Sequence, residues 1–106
     1  MTNQRFDEIV KDMQEWQNIS LVSKASEYAT KDRLYNFKQI AHNTGMTPMQ
    51  ACIVLMQKHL VALTEKIMSD TPITQEFLDE KIGDPYNYLV LLKALYEDEQ
   101  KEDGNV

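Results

Sequence analysis

An all-α fold, a small helical bundle, follows from three features of this sequence. Turn-forming residues are scarce, with three Gly and three Pro among 106 residues, too few for the tight connections of a sandwich or barrel. Apolar side chains recur at helical spacing from Phe6 onward. The stretch from Ala51 to Met68 holds no helix breaker. The length suits one domain, assigned to residues 1–96. With 42% hydrophobic and 26% charged residues, the chain is too apolar for wholesale disorder.

The first helix opens near Phe6, where Phe6, Ile9, Val10, Met13 and Trp16 form one stripe. Ile19, Val22, Ala25 and Ala29 continue it with some drift, so the helix is expected to reach about Tyr28. Thr30 to Phe37 is polar and irregular in period, and reads as a loop or short turn entering a brief helix over about Asn36 to Asn43. Gly45 stands where a left-handed C-terminal cap is wanted.

Thr47-Pro48-Met49-Gln50 marks the next start. Thr47 is the N-cap, Pro48 takes the first helical position, and Gln50 is placed to reach back to the cap's amide. The helix that follows, to Met68, is expected to be about 30 Å long and to cross the core. Ser69-Asp70-Thr71-Pro72 ends it. Thr74 caps the last helix, whose first turns are acidic at Glu76, Asp79 and Glu80.

Gly83-Asp84-Pro85 allows two courses: one helix carried through the proline, or a fresh helix capped by Asp84. The run from Tyr88 to Tyr96 is apolar nearly all the way round, which demands cover on more than one side. A chain this small does not supply that alone, so a subunit interface and a homo-oligomer are expected.

Eleven basic against seventeen acidic residues give a net charge of −6, and no basic patch is visible, which argues against direct nucleic-acid binding. A single cysteine, Cys52, excludes an internal disulfide and fits a reducing, cytoplasmic compartment. No apolar stretch reaches the roughly 18 residues of a membrane span, and no signal-peptide core follows the N-terminus. Glu97 to Val106 holds five acids and one lysine and is expected to be a flexible, solvating acidic tail over 97–106.

Three clusters offer chemistry. Glu76, Glu80 and Asp84 are spaced four apart, and on one helix their mutual repulsion is relieved by a divalent cation; Mg²⁺ takes one or two protein carboxylates together with substrate phosphates. From the spacing alone, complementing the helix dipole is the favoured explanation of Glu76, Asp79 and Glu80, and it serves Asp84 less well. Lys58 and His59 interrupt an apolar run, where a lysine either snorkels or pairs with an anion such as a phosphate. His59 by itself also suits a satisfied core position. Lys24, Tyr28, Asp32, Arg33, Tyr35, Asn36 and Phe37 supply cations, an amide and rings able to stack on a base, or a turn anchored to the core by its aromatics.

The ordered runs K-A-S-E-Y-A, D-R-L-Y-N-F-K-Q-I-A, G-M-T-P-M-Q-A-C-I-V-L-M-Q-K-H-L-V-A-L and D-E-K-I-G-D-P-Y-N-Y-L-V-L-L span about residues 20–96. Together they resemble a group of small bacteriophage proteins, which is in turn similar to the nucleotide modification-associated and MazG-like all-α NTP pyrophosphatase families. The resemblance implies a MazG-like helical fold, frequent dimers or tetramers, and a nucleotide pocket with Mg²⁺ on acidic side chains. Its basic-acidic-Tyr motif falls on Lys24, Glu27 and Tyr28, its Asn-Phe pair on Asn36 and Phe37, its middle-helix lysine on Lys58, and its acid-xxx-Asp motif with the following tyrosine on Glu80, Asp84 and Tyr88. The chain departs from the pyrophosphatases at Lys81, where an E-x-x-D motif has its acid, and at Pro85, where relatives continue the helix.

The expected function is nucleotide binding by a cytoplasmic phage protein, extending to Mg²⁺-dependent NTP or dNTP pyrophosphohydrolysis. In that reading Glu27, Glu80 and Asp84 hold the metal, Glu80 and Asp84 serve catalysis, Lys24 and Lys58 hold phosphates, and Tyr28, Asn36 and Phe37 meet the nucleotide. The alternative is a non-enzymatic helical interaction protein that binds a host or defence protein through its acidic surface.

Overall fold

A computed structural model of the chain describes residues 1–23 and 34–102. The described residues are helical and include no strand. The chain divides into two units, Met1–Lys31 and Asp32–Val106. The expected site residues Lys24, Glu27 and Tyr28 lie outside the described residues, as does the expected end of the first helix near Tyr28.

In the first unit, α1 spans Asn3–Asn18. Thr2 caps it, its hydroxyl accepting a hydrogen bond from the Arg5 backbone N–H at 3.1 Å and so satisfying one of the unpartnered amides of the first turn. Beyond Asn18 the chain forms a π-helical turn over Ile19–Ser23. The Ser20 hydroxyl donates to the carbonyl of Trp16 at 3.0 Å, with that of Gln17 at 3.3 Å, supplying a donor where the regular ladder widens.

The second unit contains α2, Tyr35–Thr44, α3, Pro48–Met68, and α4, Gln75–Glu102. α2 ends at Gly45, whose φ of 77° is left-handed and whose amide donates to the Ala41 carbonyl at 3.0 Å. The capping box of α3 forms as its sequence requires. Thr47 Oγ1 accepts from the Gln50 amide at 3.1 Å, and Gln50 Oε1 accepts from the Thr47 amide at 3.0 Å. Thr74 likewise accepts from the Phe77 amide at 3.1 Å at the start of α4.

α3 and α4 form an antiparallel hairpin. Residues on α3 meet partners ever earlier on α4: Cys52 with Tyr88, His59 with Asp84, and Lys66 over the ring of Phe77 at 5.7 Å. Of the two courses open at Gly83-Asp84-Pro85, the chain takes the continuous one, with Pro85 inside α4. The proline removes one amide donor from the ladder, and Asp84 is left as a mid-helix residue rather than a cap.

The core gathers Leu34 and Phe37 from the α2 end, Cys52 from α3 and Leu95 from α4, with Leu91 and Leu92 packed against it. α2 is tied across the hairpin at two places. Phe37 sets its ring edge-on to Tyr88, 6.2 Å between centroids, and Lys38 pairs with Asp98 at 2.9 Å. α4 runs on through Glu102, so the acidic segment after residue 96 begins as helix, and Asp98 in it is held by Lys38. No described helix is long and apolar enough to cross a membrane.

Candidate functional site

α3 brings Cys52 and His59, two helical turns apart, onto one face, and α4 brings Asp84 and Tyr88, one turn apart, to meet them. This places four polar side chains in the seam between the two helices. His59 Nδ1 lies 3.3 Å from Asp84 Oδ2, the two side chains being 14% and 33% exposed. The contact is one of proximity, because Nδ1 makes no hydrogen bond with the carboxylate. The His59 ring stands over Tyr88, centroids 5.6 Å apart and planes tilted by 37°. Cys52 Sγ donates to the Tyr88 carbonyl at 3.4 Å.

Electrostatics follow from this burial. The Cys52 thiol is pushed above its ordinary value of 9.0 by loss of water, so it stays protonated and unreactive near neutrality. Tyr88 is raised above 10.0, first by burial, then by the negative charge of Asp84, then by Cys52. Both groups are neutral hydrogen-bonding partners across the physiological range.

The residues expected to form the site occupy several environments. Asp84 is half-buried in the seam, and Glu80, one turn before it on α4, is exposed. Lys58 is exposed on α3, next to the half-buried His59. Asn36 is exposed on α2, whereas Phe37 is 6% exposed and belongs to the core. The Phe37 ring, one candidate for stacking on a base, is thus engaged in packing against Tyr88. Among the described residues no three His, Cys, Asp or Glu side chains converge as a metal cluster. An open groove between Leu34 and the C-terminal turns of α4, lined by Ala94, Glu97, Asp98 and Lys101 among others, contains none of the expected site residues.

His59 and Cys52 are the members that spacing on one helix could have paired, since seven residues separate them. Their meeting with Asp84 had no local signal, because it depends on the register of α3 against α4. Comparison of the chain with protein-family models, with curated proteins and with solved structures finds no match.

Proposed function

We propose that this chain is a MazG-like nucleotide-binding protein of the bacterial cytoplasm, working as a Mg²⁺-dependent NTP or dNTP pyrophosphohydrolase. The observation that carries this reading is Asp84, a carboxylate two-thirds shielded by an apolar helix seam. A shielded charge there costs desolvation that an apolar residue would avoid. Glu80 lies one turn away on the same helix and Lys58 one residue from His59.

Two carboxylates suit Mg²⁺, which completes its coordination with water and substrate phosphates. Glu80 and Asp84 would hold the ion, whose chemistry is to neutralise charge developing on the phosphates and to lower the pKa of an attacking water. Lys58 supplies a mobile cation for a phosphate. His59 stands against the Asp84 carboxylate from the α3 side, with Nδ1 3.3 Å from Oδ2.

The test is pyrophosphate release from a panel of NTPs and dNTPs with Mg²⁺. Activity lost in Asp84→Asn and in Glu80→Gln, with helical content retained, supports the reading. Silence of the unaltered protein across the panel, together with no nucleotide retained in equilibrium dialysis, overturns it.

The second reading, a helical interaction protein that binds a host protein, is favoured by the large apolar side chains left exposed on α3 and α4. A host partner retained equally by the chain carrying Lys58→Ala and Asp84→Ala supports that reading over the first.

A further inference from the structure

Burial is unevenly distributed along the α3–α4 hairpin. At its base Ala51, Cys52 and Met56 of α3 and Leu95 of α4 are buried, and α2 lies across them through Phe37 and Lys38. Gly83 and Pro85 of α4 are buried as well. From residue 57 of α3, around the turn, to residue 82 of α4, no residue is buried. Large apolar side chains stand open there, with Val61 52% and Ile67 53% exposed. Burial on α4 therefore begins at Gly83, and the eight residues of α4 before it have none.

The helix is weakest at the same place. Pro85, inside α4, has no amide to donate to the Lys81 carbonyl four residues earlier, and its ring crowds that carbonyl. Gly83 has the lowest helix propensity after proline. α3 has neither residue between Ala51 and Met68. On the far side of the weak point α4 is held firmly: Tyr88 meets Phe37, His59 and Cys52, Leu91 and Leu92 pack on the core, and Asp98 pairs with Lys38. On the near side, Gln75 bonds Asp79 within the segment itself, and the side-chain contact described with α3 is Lys66 over the Phe77 ring at 5.7 Å. A cation–π contact near the surface is weak.

We propose that residues 75–82 are a flap, hinged at Gly83–Pro85, which opens from α3 as a unit while the rest of α4 stays docked. Local opening follows contact density, and a segment without buried residues that adjoins a densely packed one separates from it first. The interrupted ladder at Pro85 sets where the separation stops. Opening uncovers the face of α3 that bears Lys66. It also moves Glu80, which rides on the flap, relative to Asp84, which stays at the hinge beside His59. The hinge stands whether or not those carboxylates hold a metal.

Native-state hydrogen exchange of the full-length chain, read residue by residue by NMR, tests it. The amides of residues 78–84, the first of which donates to the Thr74 carbonyl at 3.1 Å, exchange through one common opening. Their protection is expected to be about 100-fold lower than that of residues 89–98, with the step at Pro85. In Pro85→Ala, which returns a donor to the Lys81 carbonyl, the gap narrows roughly tenfold. Equal protection on the two sides of Pro85, a gradual rise along α4 with no step, as in plain fraying of a helix end, or a gap unchanged in Pro85→Ala overturns the assignment. Should Pro85→Ala fail to fold, because its ring is buried, the shape of the parent profile decides alone.

Discussion

The two sides of the α3–α4 hairpin are built from similar apolar side chains and differ in what covers them. On the α2 side, Phe37 and Leu34 close over Cys52, Tyr88 and Leu95, and the Lys38–Asp98 pair fastens the edge. On the other side, Ile82, Leu89 and Tyr96 stand exposed with Ile53 and Ile67 beside them. The difference teaches that an apolar run does not by itself identify a core. Within Tyr88 to Tyr96, Leu91, Leu92 and Leu95 pack inside while Leu89, Val90 and Tyr96 remain outside. Burial is assigned by which neighbour packs against a residue, and within the second unit α2 covers a single side.

Truncation breaks the comparison most sharply. Phe37→Ala is expected to cost about 3–5 kcal/mol in denaturant unfolding, because a buried ring leaves a cavity. Leu89→Ala, at an exposed position, is expected to change stability by about 0.5 kcal/mol or less. Equal losses at the two positions would show that both sides are covered within one chain.

The cap of α3 comes next. Thr47→Ala removes the acceptor for the Gln50 amide and half of the capping box, for an expected loss of about 1 kcal/mol. That loss belongs to the helix end and should appear whichever side of the hairpin is covered. A thermal melt of the variant unchanged from the parent would separate the observed geometry from any energetic role.

The smallest effect is a pH dependence confined to the α2 side. Cys52 and Tyr88 have folded-state values above their ordinary 9.0 and 10.0, so at alkaline pH the unfolded chain loses protons that the folded chain keeps. Stability from these groups is complete below pH 9 and declines as pH rises beyond it. Replacing Cys52 by Ala should flatten the first part of that decline, as read by chemical denaturation between about pH 8 and 10. A decline of unchanged slope in the variant would assign it to other groups.

Much of the fold was legible from local sequence. Gly45, Thr47-Pro48, Gln50 and Thr74 each form the terminus their chemistry requires, because caps are settled by residues three or four apart. Pro85 was ambiguous on local grounds, since the same residue suits a helix start or an interrupted interior, and packing of α4 against α3 on both sides of it accompanies the continuous course. The candidate site was legible only in pieces. Glu80 and Asp84 share a helix and their spacing could be read, but the inward turn of Asp84 and the exposure of Glu80 depend on where α3 lies. Phe37 looks equally suited to a base or to a core until α2 is docked.

The sequence by itself determined the helical class, the helix termini and the existence of more apolar surface than one small hairpin can bury. Each follows from interactions within a turn or two of chain, or from composition. Tertiary structure alone decided that His59 meets Asp84 and Tyr88, that Phe37 belongs to the core, and which apolar stripe stays open. Those outcomes depend on the register and side on which distant helices dock, and no single helix encodes the position of its neighbour.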